Sequence, residues 1–316
     1  MENVLNAVDK VEIITLQDNY IDITSGDNSN IVHRAMPIKN MELKNSIIAE
    51  HGFSAVVTVT RDNKSSSMLF DFGFSSHGAA INAKTLDINL GQIEVFALSH
   101  GHMDHVGGLM ELAGLVNKTG IELVVHPDVF RQARYIKTLE EMKIRLPAFT
   151  RQMVKQAKVK VVESKTPYPL LDKRVLFLGE IPRTTSFEKG VPNFFYEQGG
   201  EEKWDDLPDD TAVVANVKDK GLVILSGCAH SGIINTVKYA QAVTGIDNIF
   251  AVMGGFHLGG PNMEPVIRAT IEELKQLRPD YIIPTHCTGR KAVNQIEHEL
   301  PDNFLLNMSG TKLTFA

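Results

Sequence analysis

The stretch LSHGHMDHVGG, Leu98 to Gly108, packs His100, His102, Asp104 and His105 into six positions. It follows an apolar run, IEVFALS (93–99), and leads into HVGGLMELAGLV (105–116), where Val106, Leu109, Leu112 and Ala113 recur at helical spacing. The motif is therefore expected in a loop at the C-terminal end of a strand. Several side chains can converge there without entering the core, and Gly101, Gly107 and Gly108 permit tight backbone geometry. A lone histidine in such a turn is most simply a hydrogen-bonding residue. Three imidazoles and a carboxylate together form a metal donor set, because neutral imidazole suits zinc and other borderline cations and carboxylate oxygens complete such sites.

The 316-residue chain is 43% hydrophobic and 22% charged, enough to bury a substantial core as one α/β domain. Its net charge of −6 and pI near 6.0 argue for solubility. They argue against a general nucleic-acid or anionic-membrane binder, which carries a basic surplus or patch. Two cysteines, Cys228 and Cys287, allow one disulfide but no disulfide framework. The N-terminal MENVLNAVDKVEIITL lacks a basic region followed by an apolar stretch, and no run reaches the roughly 20 apolar residues that span a bilayer. The expected location is the cytoplasm.

In the first half, VEIITL (11–16), FSAVVTV (53–59), SMLFDFG (67–73) and IELVVHP (121–127) read as strands between polar or glycine punctuation. The second half alternates. TAVVANV (211–217), GLVILSG (221–227), NIFAVMGG (248–255) and DYIIPTH (280–286) read as strands, whereas SGIINTVKYAQAV (231–243), MEPVIRATIEELKQL (263–277) and KAVNQIEHEL (291–300) read as helices. From about 127 to 168 the chain is charged and glycine-poor, and reads as an inserted subdomain placed to cover a site. Two β-rich halves predict sheets packed together with helices outside.

The run SHGHMDHVGG resembles the signature of the metallo-β-lactamase superfamily. The resemblance implies an αββα sandwich covering residues 1–316 as one domain. It implies that His100 and His102 bind one metal ion, that Asp104 and His105 bind a second, and that metal-activated water attacks the substrate. Asp104 is then also a candidate catalytic carboxylate. Flavodiiron-type members carry Glu where this chain has His102, so the resemblance favours hydrolysis or group transfer over oxygen reduction. The family's earlier strand-ending Asp matches Asp71 in MLFDFG; it implies hydrogen bonds that hold a ligand, with a simple turn cap as the alternative. The family's last ligand matches His286 in DYIIPTHCTG.

Two family positions are altered. Where members commonly carry Gly-Asp to supply a bridging carboxylate, GLVILSGCAHSG has Gly227 and Cys228. A thiolate suits zinc but is a poorer bridge for hard cations such as magnesium or manganese, and a buried cysteine is otherwise a small hydrophobe. No histidine lies between His126 and Cys228, where the family's third-motif His is expected. His230 is the natural replacement ligand; a supporting or proton-transfer role is the alternative. His257, in AVMGGFHLGG, is a candidate general acid or substrate contact, or a loop residue with no role. His126 reads as structural, and His33, His51, His77 and His298 lack the context of a site.

SGCAHSGIINT, GGFHLGG, PTHCTG and LGEIPRTTSFE together resemble the branch that includes archaeal synthases of a dihydropterin ribofuranosyl-aminobenzene phosphate, whose bacterial relatives have a ferredoxin-like insertion. The resemblance runs from about Val32 to the C-terminus. It implies an enzyme acting on a small, phosphorylated or pterin-like substrate. Arg183 is a candidate phosphate contact, or half of a surface pair with Glu188, and Glu180 is a further stand-in for the missing ligand. The acidic run EEKWDDLPDD, Glu201 to Asp210, reads as a mobile loop at a cleft mouth. The expected metal is zinc, one or two ions, with manganese, iron and magnesium also compatible. Two other functions stay open: an RNA-processing nuclease, disfavoured by the acidic charge, and a non-enzymatic or redox protein with a closed metal site. Substrate, native metal and oligomeric state are not fixed by the sequence.

Overall fold

The computed structural model describes residues 4–43, 45–138, 142–260 and 262–316. Ser54–Arg61 and Lys64–Phe70 form an antiparallel hairpin across Asp62 and Asn63, both at positive φ, where short polar side chains are tolerated. Lys64–Phe70, Ile93–Ala97, Glu122–Val125 and Lys160–Glu163 then run parallel. Parallel neighbours need long crossovers, and these carry the helices Gly78–Thr85, Leu109–Val116 and Arg151–Gln156. Lys10–Gln17, Lys312–Phe315 and Val32–His33 extend the other side of the hairpin into an eight-stranded sheet.

The second sheet has seven strands. Its Gly221–Ser226, Ile249–Gly255 and Tyr281–Thr285 are parallel, linked through the helices Ile233–Thr244 and Glu264–Leu277. Val57, Phe70 and Val95 of the first sheet pack against Val213, Leu225 and Met253 of the second. Leu69, Phe96 and Leu123 turn to the opposite face, under Ala80, Leu112 and Val154. Ile224 and Val252 likewise lie under Val237, Ile271 and Ile296. The layers are helix, sheet, sheet, helix, the αββα sandwich expected. Burial of each such aliphatic or aromatic side chain contributes about 1.5–3 kcal/mol, so the two-faced pattern of the central strands fixes the layer order.

The topology gathers the chemistry. Asp71, Ser99, His126, Cys228, His257 and His286 each lie just beyond the C-terminal end of a parallel strand, the rim where open α/β sheets bind ligands. The helix read through 105–116 divides into Met103–Val106 and Leu109–Val116 at Gly107 and Gly108. A side chain on Gly107 would collide with the carbonyl of Phe74, so only glycine fits at this junction. The segment 127–168 is shared between two sheets. Arg134–Lys137 and Lys143–Arg145 join the hairpin Phe194–Gln198 and Glu201–Trp204 in a separate four-stranded sheet, whereas Lys160–Glu163 belongs to the eight-stranded one. Residues 139–141 of that segment lie outside the described residues. No described helix is long and apolar enough to cross a membrane.

Candidate metal centre

His100 Nε2 lies 3.1 Å from His102 Nδ1 and 3.3 Å from His230 Nε2. His105 Nε2 lies 3.2 Å from both Cys228 Sγ and His286 Nε2. Asp104 Oδ2 is 3.2 Å from His286 Nε2 and 3.7 Å from His105 Nε2. The donor atoms form overlapping groups within 4.8 Å: His100, His102 and Asp104; His100, Cys228 and His230; and Asp104, His105, Cys228 and His286. Cys228 is shared by the last two.

This arrangement fits a cation. Imidazole lone pairs so close repel unless a proton or metal ion lies between them. Zinc–nitrogen bonds of about 2.0–2.1 Å give a tetrahedron with edges of roughly 3.3 Å, close to the separations of 3.1 and 3.3 Å. Burial, with nearby imidazoles and Arg134, holds His100, His102 and His230 below the usual histidine range, His102 at about 3. They are neutral, as ligands must be. Burial would also lower His105, but the Asp71 and Asp104 carboxylates outweigh it and raise it to about 9. The Nε2 face of His105 is thus built for positive charge. For Asp104, burial is outweighed by His105 and His286, which hold its carboxyl well below the usual range.

Buried neighbours orient the donors. Asp71 Oδ2 is 2.6 Å from His105 Nδ1, and Asp71 accepts 2.7 Å hydrogen bonds from the N–H and hydroxyl of Ser99. Ser99 Oγ in turn lies 2.9 Å from His100 Nδ1. A side chain at Gly227 would strike Ser99 Oγ at 2.0 Å, so glycine is required before Cys228. Asp71, Ala229, His257 and His286 all have φ between 46° and 60°, a sparsely populated region that concentrates at functional sites. Asp18 Oδ1 accepts the N–H of His286 at 2.9 Å, and Asn19 Nδ2 donates to the His286 carbonyl at 2.8 Å.

The acidic run 201–210 differs from the mobile loop expected. Glu201–Trp204 is a strand, and Asp205, Asp209 and Asp210 are buried. Arginines compensate the first two: Arg134 Nε is 2.8 Å from Asp205 Oδ2, its Nη1 donates to Asp209 Oδ2 at 3.0 Å, and Arg131 Nη1 donates to Asp205 at 2.6 Å, whereas Asp210 accepts the N–H of Ser231 at 2.9 Å. Asp209 Oδ2 also accepts the N–H of Gly101 at 2.9 Å, inside the motif. Glu180 lies 3.4 Å from His126, and neither belongs to a donor group among the described residues. Glu188 accepts the N–H groups of Ile234 and Asn235 at 2.9 and 2.8 Å, capping the helix Ile233–Thr244. Arg183 Nη2 donates to the carbonyls of Asp206 and, at 3.5 Å, His230.

A cavity of about 910 Å³ adjoins the centre, with Phe187, Phe194, Phe256, Leu258, His230 and His257 in its wall. The His257 and His230 rings are 4.2 Å apart, and His257 Nδ1 is buried without a partner. Among the described residues beside the donors, His51 and Cys287 also were not read as site residues from the sequence. His51 Nε2 lies 3.4 Å from Asp104 Oδ2, with its ring 4.7 Å from that of His286. Nothing local marks it, since it simply precedes a strand. Cys287 adjoins His286 and groups with Cys228 and His257; its place directly after His286 was the available signal. His77, left out, pairs with Glu111 at the surface.

The family model described as the metallo-beta-lactamase superfamily matches residues 50–286. A Methanocaldococcus jannaschii protein named 7,8-dihydropterin-6-methyl-4-(beta-D-ribofuranosyl)-aminobenzene-5'-phosphate synthase is 31% identical, covering 98% of this chain and 99% of its own. An uncharacterised protein of the same organism is 32% identical over 78% of this chain and 88% of its own. The crystal structure of Tm1679, a metal-dependent hydrolase of the beta-lactamase superfamily, is similar with a TM-score of 0.72 and 25% identity, covering 96% of this chain and 98% of that one. Layer order, motif and relatives agree, and the chain belongs to the metallo-beta-lactamase superfamily.

Proposed function

We propose that this chain is a metal-dependent hydrolase or group-transfer enzyme acting on a small phosphorylated or pterin-like substrate. One observation carries the reading: His100, His102 and His230 meet Asp104, His105 and His286 around Cys228, beside a cavity of about 910 Å³. Zinc, one or two ions, is the proposed cofactor. A thiolate favours zinc or iron, manganese suits the remaining imidazole and carboxylate donors less well, and magnesium least. A divalent cation there supplies Lewis acidity, polarising a substrate oxygen and making a nearby water more acidic.

The chain's own residues bind, orient and move protons. Asp71 fixes the Nδ1 side of His105 and leaves Nε2 facing the centre. Asp104 contributes the carboxylate next to His51 and His286, held charged there and proposed to orient the attacking group as a hydrogen-bond acceptor. His257 is the proposed proton donor to a leaving group, or a substrate contact, from the cavity wall. Arg183 braces the His230 carbonyl, and its Nε lies beside Gly190 of the same wall, where a substrate phosphate is the proposed acceptor. Phe187, Phe194 and Phe256 suit a flat heteroaromatic ring. The name of the M. jannaschii relative supports the same substrate class.

The test is elemental analysis of protein purified without chelator, followed by assay against phosphate esters and pterin phosphates. At least one ion per chain, and turnover abolished by His100→Ala or His286→Ala, is expected. Substoichiometric metal after zinc, manganese or iron supplementation overturns the reading.

A further inference from the structure

The chain has two cysteines, and the fold brings both to one place. Cys228 follows the strand Gly221–Ser226, and Cys287 follows Tyr281–Thr285. Between these two in the sheet runs Ile249–Gly255, which ends in a glycine pair. A Cβ on Gly255 would sit 2.6 Å from Cys287 Sγ and 3.2 Å from Cys228 Cα. The bare glycine therefore lets the cysteines of two non-adjacent strands meet across the end of the middle one. Both sulfurs and a nitrogen of His257 lie within 4.8 Å of one another, and Cys287 Sγ is 3.6 Å from the Cys228 carbonyl. Cys228 is 2% exposed, whereas Cys287 is only partly buried.

We infer that Cys228 and Cys287 are a redox-modification site, whose reversible disulfide withdraws Cys228 from the metal centre. The oxidant class is a peroxide. Cys287, the less buried of the two residues, attacks a peroxide oxygen: an S–O bond forms, the O–O bond breaks and one water leaves, giving a sulfenic acid. Cys228 then attacks that sulfur: the S–S bond forms, the S–O bond breaks and a second water leaves. The two thiols lose two electrons and two protons, and the peroxide accepts them. A dithiol reductant returns both thiols by thiol–disulfide exchange, its own two sulfurs being oxidised to a disulfide. The two sulfurs, within 4.8 Å of each other, must close to an S–S bond of about 2.05 Å. The consequence follows from position. Cys228 is the donor shared by the His100–His230 and Asp104–His105–His286 groups, so its loss loosens both.

The experiment uses the full metal-loaded chain treated with a small molar excess of hydrogen peroxide. Peptide mapping without reductant reads the cross-link, intact mass reads the loss of two hydrogens, and a chromogenic chelator reads released metal. A Cys228–Cys287 peptide, metal release, and recovery of metal binding after dithiothreitol with added zinc are expected. Cys287→Ser is expected to hold metal through the same treatment. The map is made on the unaltered chain, so it does not depend on the variant folding. Absence of the cross-linked peptide in a chain that holds metal overturns the inference and leaves the metalloenzyme reading standing. A cross-link without metal release overturns the switch. Equal metal loss from Cys287→Ser assigns the loss to direct oxidation and also overturns it. The metal-release arm rests on Cys228 as a ligand, the reading proposed above; a chain that never holds metal refutes that reading, while the cross-link is still scored.

Discussion

Replacing Arg134 tests whether the buried acidic cluster supports the metal loop. Arg134 is 5% exposed, and its guanidinium contacts Asp205 and Asp209, which are 1% and 0% exposed. Arg134→Met keeps much of the volume but leaves these carboxylates without that cation. Removing one partner from a buried pair costs about 3–5 kcal/mol. At roughly 2.1 cal/mol/K per residue, unfolding 316 residues carries about 0.66 kcal/mol/K of entropy. The melting temperature should therefore fall by about 5–8 °C. The sign with pH is fixed. Burial works against the charged form of Asp209, and Arg134 outweighs it, holding Asp209 below its ordinary value. Without Arg134, protonation relieves the uncompensated charge, so the deficit is larger at pH 8 than at pH 5. Asp209 also holds the N–H of Gly101, between His100 and His102, so metal affinity should fall as well. Differential scanning calorimetry of the metal-free and zinc-loaded forms is the assay. A drop below about 2 °C, or one that grows as pH falls, refutes the reasoning. Adding Asp205→Asn and Asp209→Asn to Arg134→Met removes the stranded charges and should recover part of the loss.

Other outcomes follow from the same geometry. Asp71→Asn breaks the charge-assisted contact to His105 Nδ1 at 2.6 Å and should weaken metal binding about 10- to 100-fold; unchanged affinity in a chelator competition contradicts the orienting role. In the metal-free chain His105 is raised from 6.5 to about 9. Because the folded value exceeds the unfolded one, its contribution to stability is full below pH 6.5 and disappears as pH rises through about 9. Melting temperature should thus decline over that window, and a flat profile speaks against the raised value. Cys228→Asp exchanges a soft donor for a hard one and should shift the preference from zinc toward manganese, read by competition of the two ions; an unaltered ratio would remove Cys228 from the ligand set.

Much of the fold was legible because strand and helix periodicity are local. The parallel runs of Val, Ile and Leu, the amphipathic helices and the turn glycines carry their structure in neighbouring residues. The motif was legible for the same reason: His100, His102, Asp104 and His105 lie within six positions, and His286 ends a recognisable strand. The acidic run 201–210 was not, because counting its charges says nothing of Arg131 and Arg134, about 70 residues earlier, which allow Asp205 and Asp209 to be buried. Nor did local context mark His51, whose neighbours are ordinary for a strand entry, yet sheet register puts it 3.4 Å from Asp104.

By itself, then, the sequence determined the strand and helix segments and the chemistry of the donors, since side-chain identity and hydrophobic period are properties of short segments, and the motif's resemblance implied the αββα layering. Only the tertiary structure decided which donors meet. His230 reaches His100 across 130 residues, and Cys228 comes within 4.8 Å of His105, His286 and Cys287 together. That convergence is set by the order and register of parallel strands ending at one rim, a long-range packing outcome that no local spacing encodes.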